Sequence, residues 1–173
     1  INPKFSIAKF FDRVPVKDEQ RKESVIDSLR RAGLPDNPPL PLPDKPSIAV
    51  LAFDNMSGDP EQEYFGDGIA ENIITALSKV GELFVIARNS SFTYKGQPVK
   101  VQLVGRELGV RYVLEGSVLK SGDRVRITAQ LIDATTGHHL WAEKYDREVK
   151  NLFDIIDDVT KKIMVELQIK LYQ

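Results

Sequence analysis

Residues 48–87 read IAVLAFDNMSGDPEQEYFGDGIAENIITALSKVGELFVIA, and this stretch decides the fold. Ile48-Ala49-Val50-Leu51-Ala52-Phe53 is a near-continuous apolar run, the pattern of a parallel strand buried on both faces. Asn55, Ser57, Gly58, Asp59 and Pro60 then supply a polar turn. Phe65, Ile69, Ile73 and Leu77 recur every four residues, which predicts the core face of a helix over about 61–80. Leu83-Phe84-Val85-Ile86-Ala87 reads as a second buried strand.

Downstream, Val99, Leu103, Val104 and Leu108 predict a second helix that stops at Gly109. The order β-α-β-α implies right-handed crossovers and a parallel sheet centre. The pattern then changes. Residues 112–120 and 124–133 read as antiparallel strands joined by Ser121-Gly122-Asp123. In the second of them Val125, Ile127, Ala129 and Leu131 alternate with Arg124, Arg126, Thr128 and Gln130, so one face is wet. Ala134-Thr135-Thr136-Gly137 turns the chain into a third strand near 138–145, with Trp141 and Tyr145. A last helix over about 151–171 buries Leu152, Ile156, Val159, Ile163 and Leu167. The expected fold is α/β: a three-layer mixed sheet, β-α-β-α followed by an antiparallel β-meander and a C-terminal helix.

Upstream, six of the ten prolines fall between Gly33 and Ser47. The run PDNPPLPLPDKP fits neither a helix nor an interior strand, because proline lacks an N–H and fixes φ. It reads as an extended spacer rising about 3.1 Å per residue. Pro38 to Pro41 also fits a groove-binding PxxP ligand, a match that is common by chance. Residues 1–34 hold one helix, capped by Asp18, striped by Val25, Ile26, Leu29 and Ala32, and stopped by Gly33. The expected organisation is a helical tail over 1–34, a linker over 35–46 and an α/β domain over 47–173. A chain starting at Ile1 is expected to be a piece of a longer protein.

The 173 residues carry 24 Lys+Arg against 25 Asp+Glu, without the basic excess that phosphate backbones attract, so no nucleic-acid partner is expected. With no Cys there is no disulfide framework, thiol nucleophile or Cys-ligated zinc. His138 and His139, the two histidines, would point to opposite faces of a strand and cannot share a metal without a bulge. No catalytic, cofactor-binding or metal-ligating residue is assigned, and no Ser–His–Asp set or spaced carboxylate pair is evident. No apolar run approaches the roughly 20 residues that span a bilayer, so no membrane insertion is expected of this piece. The expected compartment is the cytoplasm, with the periplasmic face of a membrane-anchored parent as the alternative.

Ligands of open α/β sheets gather at the carboxyl ends of parallel strands. That rule makes Asn55, Ser57 and Asp59 after the first strand, with Arg88, Asn89 and Ser90 after the second, the candidate ligand or interaction site. The free N–H groups of the first helix would hold a phosphate or carboxylate, with Arg88 as counter-ion. The plainer reading is that Asn, Ser and Asp are turn and cap formers. Gly66-Asp67-Gly68 is not a phosphate loop, since it lies within the helix and lacks a Walker lysine. Asp59, Glu61, Glu63, Asp67 and Glu71 lack calcium-loop spacing and suit the positive end of the helix dipole. Arg124, Arg126 and Lys120 near Tyr112 and Trp141 would suit single-stranded nucleic acid only within a positive field that the chain lacks.

Three long collinear stretches carry a family resemblance. They are KPSIAVLAFDNMSGDPEQEYFGDGIAENIITALSKV, LFVIARNSSFTYKG and LGVRYVLEGSVLKSGDRVRITAQLIDATTGHHLWAEKYDRE. Over about residues 45–160 the chain resembles the TolB amino-terminal-like domain of bacterial signalling proteins. In such proteins the domain lies between an output domain, often an adenylate/guanylate cyclase or a winged-helix regulator, and tetratricopeptide repeats. The resemblance implies an anticodon-binding-domain-like fold. It transfers no catalytic residue. NPKFSIAKFF and VPVKDEQRKESVIDSLRRAGLP resemble the tail that follows the last such repeat, here placed ahead of the domain rather than after it. The expectation is a non-catalytic regulatory or interaction module, whose partners are other domains of its parent, another protein or a second copy of itself. The alternative is a nucleotide or anion sensor at the strand ends.

Overall fold

A computed structural model describes residues 6–13, 18–34, 36 and 45–167. The chain divides into two units, Ile1–Pro41 and Leu42–Gln173. Of the proline-rich run, only Asp36, Lys45 and Pro46 fall within the described residues.

The first unit holds two helices where the sequence pattern predicts one, α1 (Ile7–Arg13) and α2 (Glu19–Arg31). A seven-residue helix has too weak a periodicity to be read and needs tertiary support. That support includes Lys22 of α2, whose Nζ lies 5.8 Å from the centre of the Phe11 ring. Asp18 Oδ1 caps α2 by accepting from the Gln20 and Arg21 amides at 3.0 and 3.4 Å. At its other end Gly33, at φ 82°, lets its amide donate to the Arg30 carbonyl and the Leu34 amide to that of Leu29.

In the second unit the strands are β1 (Ser47–Val50), β2 (Asp54–Asn55), β3 (Phe84–Val85), β4 (Tyr112–Ser121), β5 (Arg124–Asp133) and β6 (His138–Glu148). They form one mixed sheet in the order β3-β1-β4-β5-β6, with β2 also pairing with β4. β1 runs parallel to β3 and β4, and β4, β5 and β6 form the antiparallel meander. The helices are α3 (Glu63–Ser78), α4 (Arg88–Ser91), α5 (Val101–Leu108) and α6 (Leu152–Glu166). On one face, Ile69, Ile73 and Leu77 of α3 and Ile156, Val159 and Ile163 of α6 join Ile48, Val50, Leu114 and Ile127 in the main core. On the other, Val104 of α5 packs with Ala49, Val113 and Ala134. The α/β domain therefore has three layers, as its element order implies.

Two expectations need correction. The second strand shortens to Phe84–Val85 and is not buried: as the edge strand, paired only to β1, it leaves Phe84 42% exposed. The first strand ends at Val50, and its apolar continuation through Phe53 leaves the ladder before β2 resumes it. Val50 pairs with Leu114, while Asp54, four residues on, pairs with Ser117, only three residues on. One extra residue is thus accommodated between β1 and β2. A single inserted residue reverses which face the following side chains occupy. Phe53 turns into the main core and Asp54 is delivered to the opposite face, with Ser117.

Phe53 fits only because two glycines make room for it. A Cβ on Gly116 would stand 2.8 and 2.9 Å from the Phe53 ring, and one on Gly66 would stand 2.6 Å from the Phe53 carbonyl oxygen. Gly68, two residues further along α3, has open space at the same position. The two helical glycines should therefore respond oppositely to alanine. Gly66→Ala is expected to destabilise by about 1–3 kcal/mol through overpacking, and Gly68→Ala to stabilise by about 0.5–1 kcal/mol through helix propensity. Urea unfolding midpoints of the two variants measure this directly, and equal shifts would refute the role given to Gly66.

Candidate functional site

The six sequence-predicted residues lie in two separate segments, Asn55, Ser57 and Asp59 at and after β2 and Arg88, Asn89 and Ser90 in α4. Asn55 Nδ2 donates to the Asp59 carbonyl at 2.8 Å, and Asn55 Oδ1 accepts from the Ser57 amide at 3.0 Å. Ser57 Oγ accepts from the Lys120 amide at 2.9 Å, and Asp59 Oδ1 from the Glu61 amide at 3.0 Å. These groups tie the turn to the end of β4 and cap the short 3-10 turn Pro60–Gln62 ahead of α3. Arg88 opens α4, with Nε 3.5 Å from a Glu71 carboxylate oxygen and its guanidinium 4.5 Å over the Phe92 ring. Asn89 and Ser90 are exposed on α4. The Ser90 amide donates to the Ala87 carbonyl at 3.0 Å and its carbonyl accepts from Thr93 Oγ1 at 2.8 Å. His138 and His139 pair with Asp133 and Ile132, as successive residues on opposite faces.

A cavity of about 310 Å³ lies beside these segments, and none of the six lines it. It sits where the strand-end rule points, past the carboxyl end of β1 and against β4. Glu115 and Ser117 of β4 and Gln130 of β5 line its sheet side, with Gln130 directly across the ladder from Glu115. Leu51, Ala52 and Asp54 form one wall and residues 94–97 another. The extra residue before β2 is what brings Asp54 to this face.

The 94–97 wall is tethered at two points. Tyr94 Oη donates to a Glu107 carboxylate oxygen of α5 at 2.5 Å, and burial together with that carboxylate raises the phenol well above its usual range. Lys95 Nζ reaches α3, 2.7 Å from Asp67 and 3.3 Å from Glu63, and the bond to Asp67 raises its pKa. Lys95 is therefore committed to α3. The side chains of Asp54 and Glu115 have no hydrogen-bond or ion-pair partner among the described residues. Half-burial raises the Glu115 pKa, with Asp54 adding to the rise and His139 opposing it.

The sequence pattern passes over Glu115, Asp54 and Gln130. The available signal is an acid between Leu114 and Gly116 in an otherwise half-buried strand, at a position where a structural residue would be apolar. On the far part of the same face, Arg126 is held by Asp146 at 2.7 and 3.2 Å, whereas Lys120, in register with Val125 on the opposite face, has its Nζ 5.7 Å from the Phe65 ring centre.

A three-layer mixed-sheet domain with a polar cavity at its strand ends is the class of protein that this geometry defines. Residues 44–163 match the family described as HilA/YgeH-like transcriptional regulator, second domain, and the chain belongs to that family. It is 65% identical over 134 residues to the Rhizobium meliloti (strain 1021) protein named "Putative adenylate cyclase 3". That match covers 78% of this chain and 23% of the relative, so the chain spans about a quarter of the relative's length. Among solved structures it is similar to TolB from Acinetobacter baumannii, with a TM-score of 0.53 and 18% identity over 75% of this chain and 29% of that one. It is also similar to lipoprotein GNA1162 from Neisseria meningitidis, with a TM-score of 0.51 and 20% identity over 68% and 95% of the two chains. These likenesses establish a TolB-like fold. No helix among the described residues is long and apolar enough to cross a membrane.

The raised Glu115 pKa has a stability consequence. The folded state holds this proton more tightly than the unfolded chain, so the stabilisation it gives is full below the ordinary value of 4.5 and is lost as pH rises through the folded-state value. Glu115→Gln removes that loss. Its melting temperature should exceed the wild-type value at neutral pH, with the gap closing as pH falls toward 4.5. Thermal unfolding across that range tests it; a constant gap would mean that ionisation at Glu115 is not the cause.

Proposed function

We propose that the α/β domain is a non-catalytic regulatory or protein-interaction module of a bacterial signalling protein with a cyclase-type output. One observation carries this reading: the same kind of domain belongs to a family described as part of a transcriptional regulator and recurs at 65% identity in a protein named for adenylate cyclase. What the two outputs share is not their chemistry, so the shared domain is best explained as one that communicates with them. The uncovered polar face of β4, β5 and β6 suits contact with a neighbouring domain or a second copy of the chain. Under this reading the module works in the cytoplasm, where cyclase and transcription-factor outputs find their substrates. The resemblance to repeat-associated signalling proteins supports the same arrangement.

The reading predicts no turnover of ATP, GTP or simple esters by the purified chain above a buffer control. It also predicts that charge reversal at the positions equivalent to Arg124 and Lys144 in the full-length Rhizobium relative changes cyclase output, while the same changes leave this chain's melting temperature within the range of ordinary surface substitutions. Steady turnover abolished by a point substitution would defeat the proposal, as would an output indifferent to every change on that face.

A further inference from the structure

We infer that the chain associates with a second copy of itself by antiparallel pairing of β6 with β6, which joins the two sheets edge to edge about a two-fold axis at Tyr145. The two edges of the sheet differ. β3 has two residues, whereas β6 runs for 11 without a proline and pairs on one side only, with β5. Backbone groups of an antiparallel ladder turn alternately toward and away from the partner strand. The Val149 amide donates to the Asp123 carbonyl at 2.7 Å, in the same register that sets Val125 against Arg147 and Ile127 against Tyr145. This phase turns the backbone groups of Glu143, Tyr145 and Arg147 toward β5, and those of Ala142, Lys144 and Asp146 toward the open side. The Asp146 carbonyl obeys it, accepting from the Arg147 guanidinium at 2.8 Å rather than from β5.

The order of charge along the strand specifies the occupant. Glu143, Lys144, Asp146 and Arg147 read minus, plus, minus, plus about Tyr145, so reversing the strand reverses every sign. An antiparallel copy centred on Tyr145 therefore sets Lys144 opposite Asp146 and Glu143 opposite Arg147, each pair twice by symmetry. Centring on any of the four charged residues sets that residue against its own like, so the charges select one register. Lys144 and Asp146 also turn outward, and the same register lets their amides and carbonyls bond across the axis. All four side chains are exposed. Asp146 is held by Arg126, but Glu143, Lys144 and Arg147 have no ion pair among the described residues; Glu143 accepts from Trp141 and Tyr145 at 3.3 and 3.4 Å. Charges on an edge strand guard against association with other strands. Their antisymmetric order lifts that guard for the strand itself. Arg147 exchanges partners on pairing: the Lys144 amide of the second copy takes the Asp146 carbonyl and releases the guanidinium to Glu143 across the axis. The pairing concerns the edge of the sheet and holds whichever output the domain serves.

Sedimentation of the purified chain between roughly 1 μM and 1 mM should show a monomer–dimer equilibrium, and the Lys144 and Asp146 amides should exchange hydrogen more slowly as dimer forms. Lys144→Glu and Asp146→Lys, each alone, set like charges across the axis and should weaken the dimer about tenfold. Mixed together, the two variants meet with opposite charges in both pairs, and dimerisation should return as a heterodimer. Circular dichroism at the dilute end is the check that each variant keeps the fold. The inference is overturned if the chain stays monomeric at the highest concentration, if either variant alone dimerises like wild type, or if mixing restores nothing. Slow exchange at Lys144 and Asp146 in a monomer would overturn it too, by showing that another segment of this chain covers the edge.

Discussion

The packing of Phe53 against Gly116 and Gly66 is the constraint on which the rest of the domain depends. With 1% of its surface exposed, the Phe53 side chain occupies space in the main core that any Cβ at Gly116 would take. Its carbonyl lies so close to α3 that only glycine is tolerated at position 66. To reach this position the chain leaves the β1 ladder after Val50 and returns at Asp54 with one residue in excess. The Leu51 amide still donates to the Leu114 carbonyl at 2.9 Å, and the Met56 amide to that of Val118 at 2.8 Å, so the departure is bracketed by intact pairing. Strand, helix and hairpin are therefore locked together through one residue, by its ring at Gly116 and its carbonyl at Gly66. On the other face the core against α5 is smaller, and Gly105 makes a close approach of its own, where a Cβ would stand 2.6 Å from the Ala134 Cβ.

The same excess residue shapes the cavity. In an unbroken strand, Asp54 would share the face of Val50, inside the main core, where an unpaired carboxylate is strongly disfavoured. The inserted residue exchanges the two positions: the aromatic enters the core and the acid leaves it. Burial of Phe53 and exposure of Asp54 to the cavity are thus two outcomes of one backbone feature. Bulges are known to re-aim side chains beside functional sites, and this one does so in a parallel ladder.

Electrostatics then keep the cavity acidic. Lys95 could neutralise it, yet the two α3 carboxylates, Glu63 and Asp67, hold its ammonium. Tyr94 is anchored to α5 through Glu107, so the intervening loop is positioned from both helices rather than from the cavity it borders. Glu115 remains half-buried beside Asp54 with its pKa raised, an arrangement that weakens the fold near neutral pH.

Local patterns made most of the architecture legible and left the site unread, for one physical reason. The four-residue recurrence of Ile69, Ile73 and Leu77, the alternation from Val125 to Leu131 and the cap at Asp18 are written within a turn or two of chain, and each appears in the structure as expected. The short α1 and the edge strand Phe84–Val85 take their form from neighbours rather than from their own sequence. Asn55, Ser57 and Asp59 obeyed local turn chemistry, which absorbed the polar groups that the strand-end rule offered to a ligand. Leu51-Ala52-Phe53 reads as more strand because nothing in those residues marks an excess. The excess exists only relative to β4, a partner that follows three helices and another strand. Register is a property of the pair, and the placement of Asp54 against Glu115 follows from register alone.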